Sequence, residues 1–251
     1  MGLYDRDYMG RSMMRGRIGS TSLRRSLGGW SVNTWIIVIC VAIYMIDHFN
    51  VVGGVFQEWL HMSTDHAILG VQYWRFVGFQ FLHADLTHLA FNMIGLYFFG
   101  PLVEQVLGGK RYLAFYLLCG IFGAILYLIL NLGGILVGED VPILLFNDTS
   151  TQLIGASAGV FGILLAGAFL APNVKVLVLF VIPMKLSTMA YLFVALALFA
   201  VIRGSSNAGG EAAHLGGAAA GWYFIRNQHH LNGFFDFLGK ADPTSKHFAL
   251  R

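Results

Sequence analysis

The chain is a succession of long apolar runs separated by short polar breaks. After a polar stretch over 1–29, apolar runs occupy 31–52, 84–106, 111–132, 152–171, about 186–202 and 209–226. Each approaches the ~20 residues that an α-helix needs to cross ~30 Å of hydrocarbon. A further run, VKVLVLFVI at 174–182, is too short to span and is closed by Pro183. It reads as an interfacial segment, or as the start of one long, tilted fifth helix. The pattern predicts an all-α polytopic membrane protein with six transmembrane helices.

Composition makes the membrane reading firm. Of 251 residues, 57% are hydrophobic and 12% charged, and the mean hydropathy is +0.67. A soluble domain is about 45–50% apolar and ~25% charged, so this chain has too little polar surface to face water all round. Cys40 and Cys119 both lie in apolar runs. They are expected to be buried helix residues, with no disulfide framework or metal site.

Charge placement orients the spans. Arginines 6, 11, 15, 17, 24 and 25 crowd the first stretch, which reads as a cytoplasmic arm over 1–29. A signal peptide would also put WIIVICVAIYMI (35–46) behind basic residues, but this basic region is long and no small-residue cleavage site follows. Alternation then puts Lys110, Arg111, Lys175, Lys185, Arg226, Lys240, Lys246 and Arg251 on the cytoplasmic side. The loop 133–151, with Glu139, Asp140 and Asp148 but no Lys or Arg, falls outside; Arg75 and Arg203 are the exceptions. The expected organisation is a basic arm (1–29), a membrane domain (30–226) and a tail (227–251), with both termini cytoplasmic. A bacterial plasma membrane suits the basic arm, and no nucleic-acid partner is expected. The outside loop 53–83 is rich in aromatics (Trp59, Tyr73, Trp74, Phe76), which predicts that it lies in the interface or packs on the bundle.

Ionisable groups inside spans are costly and mark functional sites. His88 and Asn92, four residues apart, share one face near the outer end of the second span. Ser157 lies about one turn into the fourth span and His214 about one turn into the sixth, both again from the outside. A serine hydroxyl attacks only when a base takes its proton, and a neutral histidine is the usual base near pH 7. The two can meet only if their helices approach closely, which Gly155, Gly159 and Gly162 on one and Gly217-x-x-x-Gly221 on the other permit. Each signal has a plainer reading: glycines as packing, a serine bonded to its own helix, histidines as a proton relay or metal ligands. The motif Gly155-Ala156-Ser157-Ala158-Gly159 also fits the nucleophile elbow of soluble hydrolases, but that elbow needs a strand before the serine and an acid between Ser and His. The sole acid in the interval is Glu211, three residues before His214. A Ser–His dyad without an acid is the better reading.

Five motifs, in order and on the right spans, carry a resemblance. They are Trp74-Arg75 in YWRF, HLAFN (88–92), GPLVEQVLG (100–108), GASAGVFG (155–162) and AHLGGAAAG (213–221). Over roughly 70–226 the chain resembles the rhomboid family of intramembrane serine proteases. The resemblance implies a six-helix rhomboid-like bundle that cleaves transmembrane helices of other membrane proteins near their outer end. It implies Ser157 as nucleophile, His214 as base, and His88 and Asn92 in the oxyanion hole with the Ser157 backbone N–H. It also implies structural roles for Trp74, Arg75, Gly100, Glu104, Gly108, Gly155, Gly159, Gly217 and Gly221. No metal or organic cofactor is implied. Partners would be transmembrane protein substrates and the lipid bilayer. Pro101 departs from the expected pattern and predicts a disturbed helix near Glu104.

Overall fold

The computed structural model describes residues 29–138, 141, 148–178 and 181–235. Most of the basic arm and the end of the tail, together with Glu139, Asp140, Lys240, Lys246 and Arg251, lie outside the described residues. The chain divides into a short N-terminal unit, Met1–Ser31, and a compact body, Val32–Arg251.

Among the described residues, six long helices build the body: α1 (Val32–His48), α4 (Leu86–Leu107), α5 (Gly109–Val137), α6 (Ser157–Leu170), α7 (Leu186–Ile202) and α8 (Ala208–Arg226). They correspond to the six apolar runs. The short helices α2 (Val55–Leu60) and α3 (Arg75–Gly78) lie between α1 and α4. By length and composition alone, α4 and α5 are long and apolar enough to cross a membrane, while α1, α6 and α7 are apolar but shorter.

The segment 174–185 is not the start of a long fifth helix, and it departs from the all-α description. It is an antiparallel hairpin of β1 (Lys175–Val178) and β2 (Ile182–Lys185), with Lys175 opposite Lys185. Its apolar run is rich in Val and Leu and ends at a proline, which favours an extended strand over a helix. The helix α7 starts only afterwards.

Packing around α8 is close because its neighbours lack side-chain bulk. A Cβ on Gly216 would meet Phe122 O at 2.5 Å and Gly123 Cα at 2.8 Å, on α5. On the other side, a Cβ on Gly217 would meet Ala158 C at 2.7 Å, on α6. Backbone-to-backbone contact of this kind replaces the hydrophobic drive that lipid does not supply. The outward faces carry exposed Phe91, Phe98, Phe122, Ile129, Tyr191 and Phe199.

At the far end of α4, Glu104 caps α1. Its Oε1 accepts from Val32 N at 2.9 Å and its Oε2 from Asn33 N at 3.1 Å, two donors that the first turn of a helix leaves without partners. Asn33 is buried in turn, donating to Leu96 O at 3.0 Å and accepting from Tyr112 Oη at 2.7 Å. Gly100 makes room for it, since a Cβ there would lie 2.7 Å from Asn33 Nδ2. Pro101 leaves α4 continuous from Leu86 to Leu107, so the disturbance expected near Glu104 does not interrupt the helix.

Candidate active site

The loop before α4 is built on Arg75. This residue is 3% exposed, and Nη1 donates to His61 O at 2.6 Å and to Glu58 O at 3.0 Å while Nε donates to Gln72 Oε1 at 2.6 Å. These contacts gather carbonyls around one cation and fold the loop. Trp74 Nε1 donates to Trp59 O at 3.0 Å, and the two exposed indoles stack with centroids 6.4 Å apart. The loop packs on the bundle. Met62 and Leu153 exchange backbone hydrogen bonds of 3.0 and 2.7 Å, and Gly155 N donates to Phe79 O at 2.9 Å. The turn leading into Ser157 is therefore pinned by the loop.

Gly155 sits at φ +130°, a conformation that L side chains rarely adopt. A Cβ there would lie 2.8 Å from His88 Nε2 and 3.4 Å from Ser157 Oγ. His88 Nε2 and Ser157 Oγ thus border one small space that only glycine leaves open. Ser157 is the first residue of α6 and His214 the seventh of α8. His214 therefore lies more than a turn into its helix, as the sequence pattern predicts, whereas Ser157 opens its helix because α6 begins later than its apolar run.

His214 Nε2 lies 2.7 Å from Ser157 Oγ. Its ring stacks on Phe161 of α6, with centroids 4.3 Å apart and planes 7° from parallel. On the opposite edge, Nδ1 lies 3.0 Å from Glu211 Oε2. The acid that the sequence reading set aside thus touches the histidine: Glu211 and His214, at i and i+3, share a face of α8. The spacing carried that signal, and only the assumption borrowed from soluble folds set it aside. A carboxylate can only accept, so Nδ1 carries a proton and the Nε2 lone pair is turned to the serine.

At the start of α4, Asp85 Oδ1 accepts from His88 N at 2.8 Å and caps the helix. Ala84 N donates to His88 Nδ1 at 3.4 Å, which leaves the neutral ring's proton on Nε2, facing the space beside Gly155. Asn92 is buried and donates Nδ2 to His88 O at 2.9 Å, so it braces the turn and keeps a second amide hydrogen. His83, just before the helix, packs edge-on against His88 at 5.2 Å. It is buried with neither ring nitrogen hydrogen-bonded within the protein. Burial, with His88 beside it, pushes its pKa down from 6.5 to about 3, so it is neutral near pH 7. Among the described residues, no three His, Cys, Asp or Glu side chains gather as metal ligands.

The Rhomboid domain family model matches residues 70–227, a span that takes in the later part of the pinned loop, from Trp74 and Arg75 onward, and Ser157, His214, Glu211, His88 and Asn92. The chain belongs to the rhomboid family. Like other rhomboids it is a membrane protein. It is 33% identical over 150 residues to RHOMBOID-like protein 12, mitochondrial, of Arabidopsis thaliana, covering 58% of this chain and 44% of that protein. It is 31% identical over 129 residues to Rhomboid-like protein 11, chloroplastic, of the same plant, covering 51% and 38%. It is 31% identical over 104 residues to Rhomboid protease GlpG of Yersinia enterocolitica, covering 40% and 36%. The chain thus spans less than half the length of these curated relatives. Two of them are organellar by name, so the bacterial plasma membrane expected from the basic arm finds no support in these relatives.

Proposed function

We propose that this rhomboid is an intramembrane serine endopeptidase that cuts transmembrane helices of other proteins. The 2.7 Å contact between Ser157 Oγ and His214 Nε2, made across two helices, carries the reading. Ser157 Oγ attacks the scissile carbonyl carbon while its proton passes to His214 Nε2. The developing oxyanion takes hydrogen bonds from His88 Nε2–H, Asn92 and the Ser157 backbone N–H. His214 then protonates the amine as the C–N bond breaks, and water hydrolyses the acyl-enzyme with His214 again as base.

The depth of cleavage follows from helix length. With α1 and α4–α8 as six spans and both termini cytoplasmic, α6 starts from the outer side. Its 14 residues reach only ~21 Å, against a hydrocarbon core of ~30 Å. A helix ending at the inner face would therefore begin about 9 Å below the outer one, with Ser157 at its first residue. A substrate helix must unwind there to offer a carbonyl, and water must enter from the outside.

The test is cleavage of a transmembrane reporter by the purified full chain, with fluorophosphonate labelling beside it. Wild type should cleave and be labelled, and Ser157→Ala and His214→Ala should do neither. Cleavage by Ser157→Ala at the wild-type rate would sink the proposal.

A further inference from the structure

Beside His214 lies an ionisable group that the Ser–His reaction as written does not use. Glu211 sits in the first turn of α8, where a carboxylate is already favoured by the helix N-terminus. That alone would make it a structural residue. Its placement argues for more. Oε2 reaches the ring edge of His214 opposite Ser157, at 3.0 Å. Oγ, Nε2, Nδ1 and Oε2 form one continuous relay of two hydrogen bonds, 2.7 and 3.0 Å long.

We infer that Glu211 is a positioning residue for catalysis, completing a Ser157–His214–Glu211 triad on a membrane scaffold. The inference rests on the protease reading above. Accepting from Nδ1–H, the carboxylate holds the imidazole in the tautomer whose Nε2 is free to take the serine proton. Once Nε2 is protonated, the same carboxylate faces an imidazolium and stabilises it, without taking the proton itself. Phe161 fixes the plane of the ring and Glu211 fixes its rotation within that plane. In water, an imidazole could exchange tautomers and turn freely. Here one ring face is covered by Phe161, and the two ring nitrogens are engaged by Ser157 and Glu211.

Exposure sets the size of the effect. The side chains of His214 and Glu211 are 15% and 24% exposed, so solvent weakens the charge interaction. Loss of the acid from a buried triad costs ~10⁴-fold in kcat. A drop of roughly 10- to 100-fold is expected here, given the screening at a partly exposed pair.

The experiment compares wild type, Glu211→Gln, Glu211→Ala, Glu211→Asp and Ser157→Ala as full-length protein in the same detergent. Expected results are a lower kcat at unchanged KM for Gln and Ala, and a fluorophosphonate labelling rate reduced by the same factor. Labelling needs an activated serine but no helix substrate, so a fault in substrate binding would not move it. Glu211→Asp, which keeps the charge on a shorter arm, should fall between wild type and Glu211→Gln. Melting temperatures should match throughout. Wild-type kcat and labelling in Glu211→Gln, with Ser157→Ala inactive, would overturn the role of Glu211 and leave the protease reading standing. A loss of rate matched by a loss of melting temperature, with Asp no better than Ala, would also overturn it and make Glu211 structural. Labelling and cleavage by Ser157→Ala at wild-type rates would overturn both.

Discussion

Gly217→Ala tests whether helix approach, and not merely the presence of Ser157 and His214, assembles the site. The added methyl would lie 2.7 Å from Ala158 C and 2.9 Å from Ala158 Cα, and nearer still to the carbonyl oxygen. These are backbone atoms, which cannot rotate away as a side chain can. Ordinary contact begins at 3.4 Å, so α6 and α8 must part by at least about 0.7 Å, the difference between 3.4 and 2.7 Å. Ser157 is the residue before Ala158, and His214 lies three before Gly217. Transmitted to the dyad, the displacement stretches its 2.7 Å bond to about 3.4 Å, near the limit of a useful hydrogen bond. A misplacement of ~1 Å can cost ~10²-fold in rate, so kcat should fall about 10- to 100-fold. Overpacking should cost about 1–3 kcal/mol of stability. The paired control is Gly167→Ala, also on α6, whose methyl would meet Leu186 Cδ2 at 3.5 Å and Leu102 Cδ2 at 3.7 Å. That variant should keep the wild-type rate and gain up to about 1 kcal/mol, as a helical glycine replaced by alanine does. The assay is reporter cleavage in detergent with a parallel thermal melt. Equal rates and melting temperatures for Gly217→Ala and wild type, or equal damage from Gly167→Ala, would refute the reasoning.

Other expectations are open to direct measurement. Glu104→Ala leaves two N–H groups at the start of α1 without their acceptor, and should lower stability by about 1–2 kcal/mol while the labelling rate at Ser157 stays near wild type. Arg75→Met removes the donor to His61 O and Glu58 O and should cost about 2–4 kcal/mol, read as a lower melting temperature and faster proteolysis within 53–83. For His83 the folded pKa of about 3 lies below the unfolded value of 6.5. Below pH 6.5 the unfolded chain takes up a proton that the folded chain refuses. Stability should therefore fall by up to about 1.4 kcal/mol per pH unit between pH 6.5 and about 3, and be unaffected by this group above pH 7. A His83→Leu variant should show a shallower decline in melting temperature over that window; an unchanged slope would mean that His83 is protonated in the folded state.

The order of the apolar helices was legible in the linear chain, because the bilayer imposes a single demand on every span. Each must bury its backbone polar groups within itself and present apolar side chains, and that demand is written locally. Within so apolar a background, His88, Asn92, Ser157 and His214 stood out by cost alone. What periodicity could not supply was local termination. The segment at 174–185 pairs with itself as a hairpin, and strand pairing depends on a partner, not on one segment's hydropathy. The start of α6 was likewise set from outside, by Phe79 O holding Gly155 N and by the φ of +130° that this turn requires. Glu211 is the sharpest case. Its spacing from His214 was visible, but i and i+3 on a helix says only that two side chains can touch. Which ring edge the carboxylate meets, and whether the other edge meets a serine, was decided by α6 and α8 closing to backbone contact at Gly217 and Ala158. The sequence by itself determined a membrane bundle and its polar groups; the distances that could make those groups a catalyst belong to the packing of helices far apart in the chain.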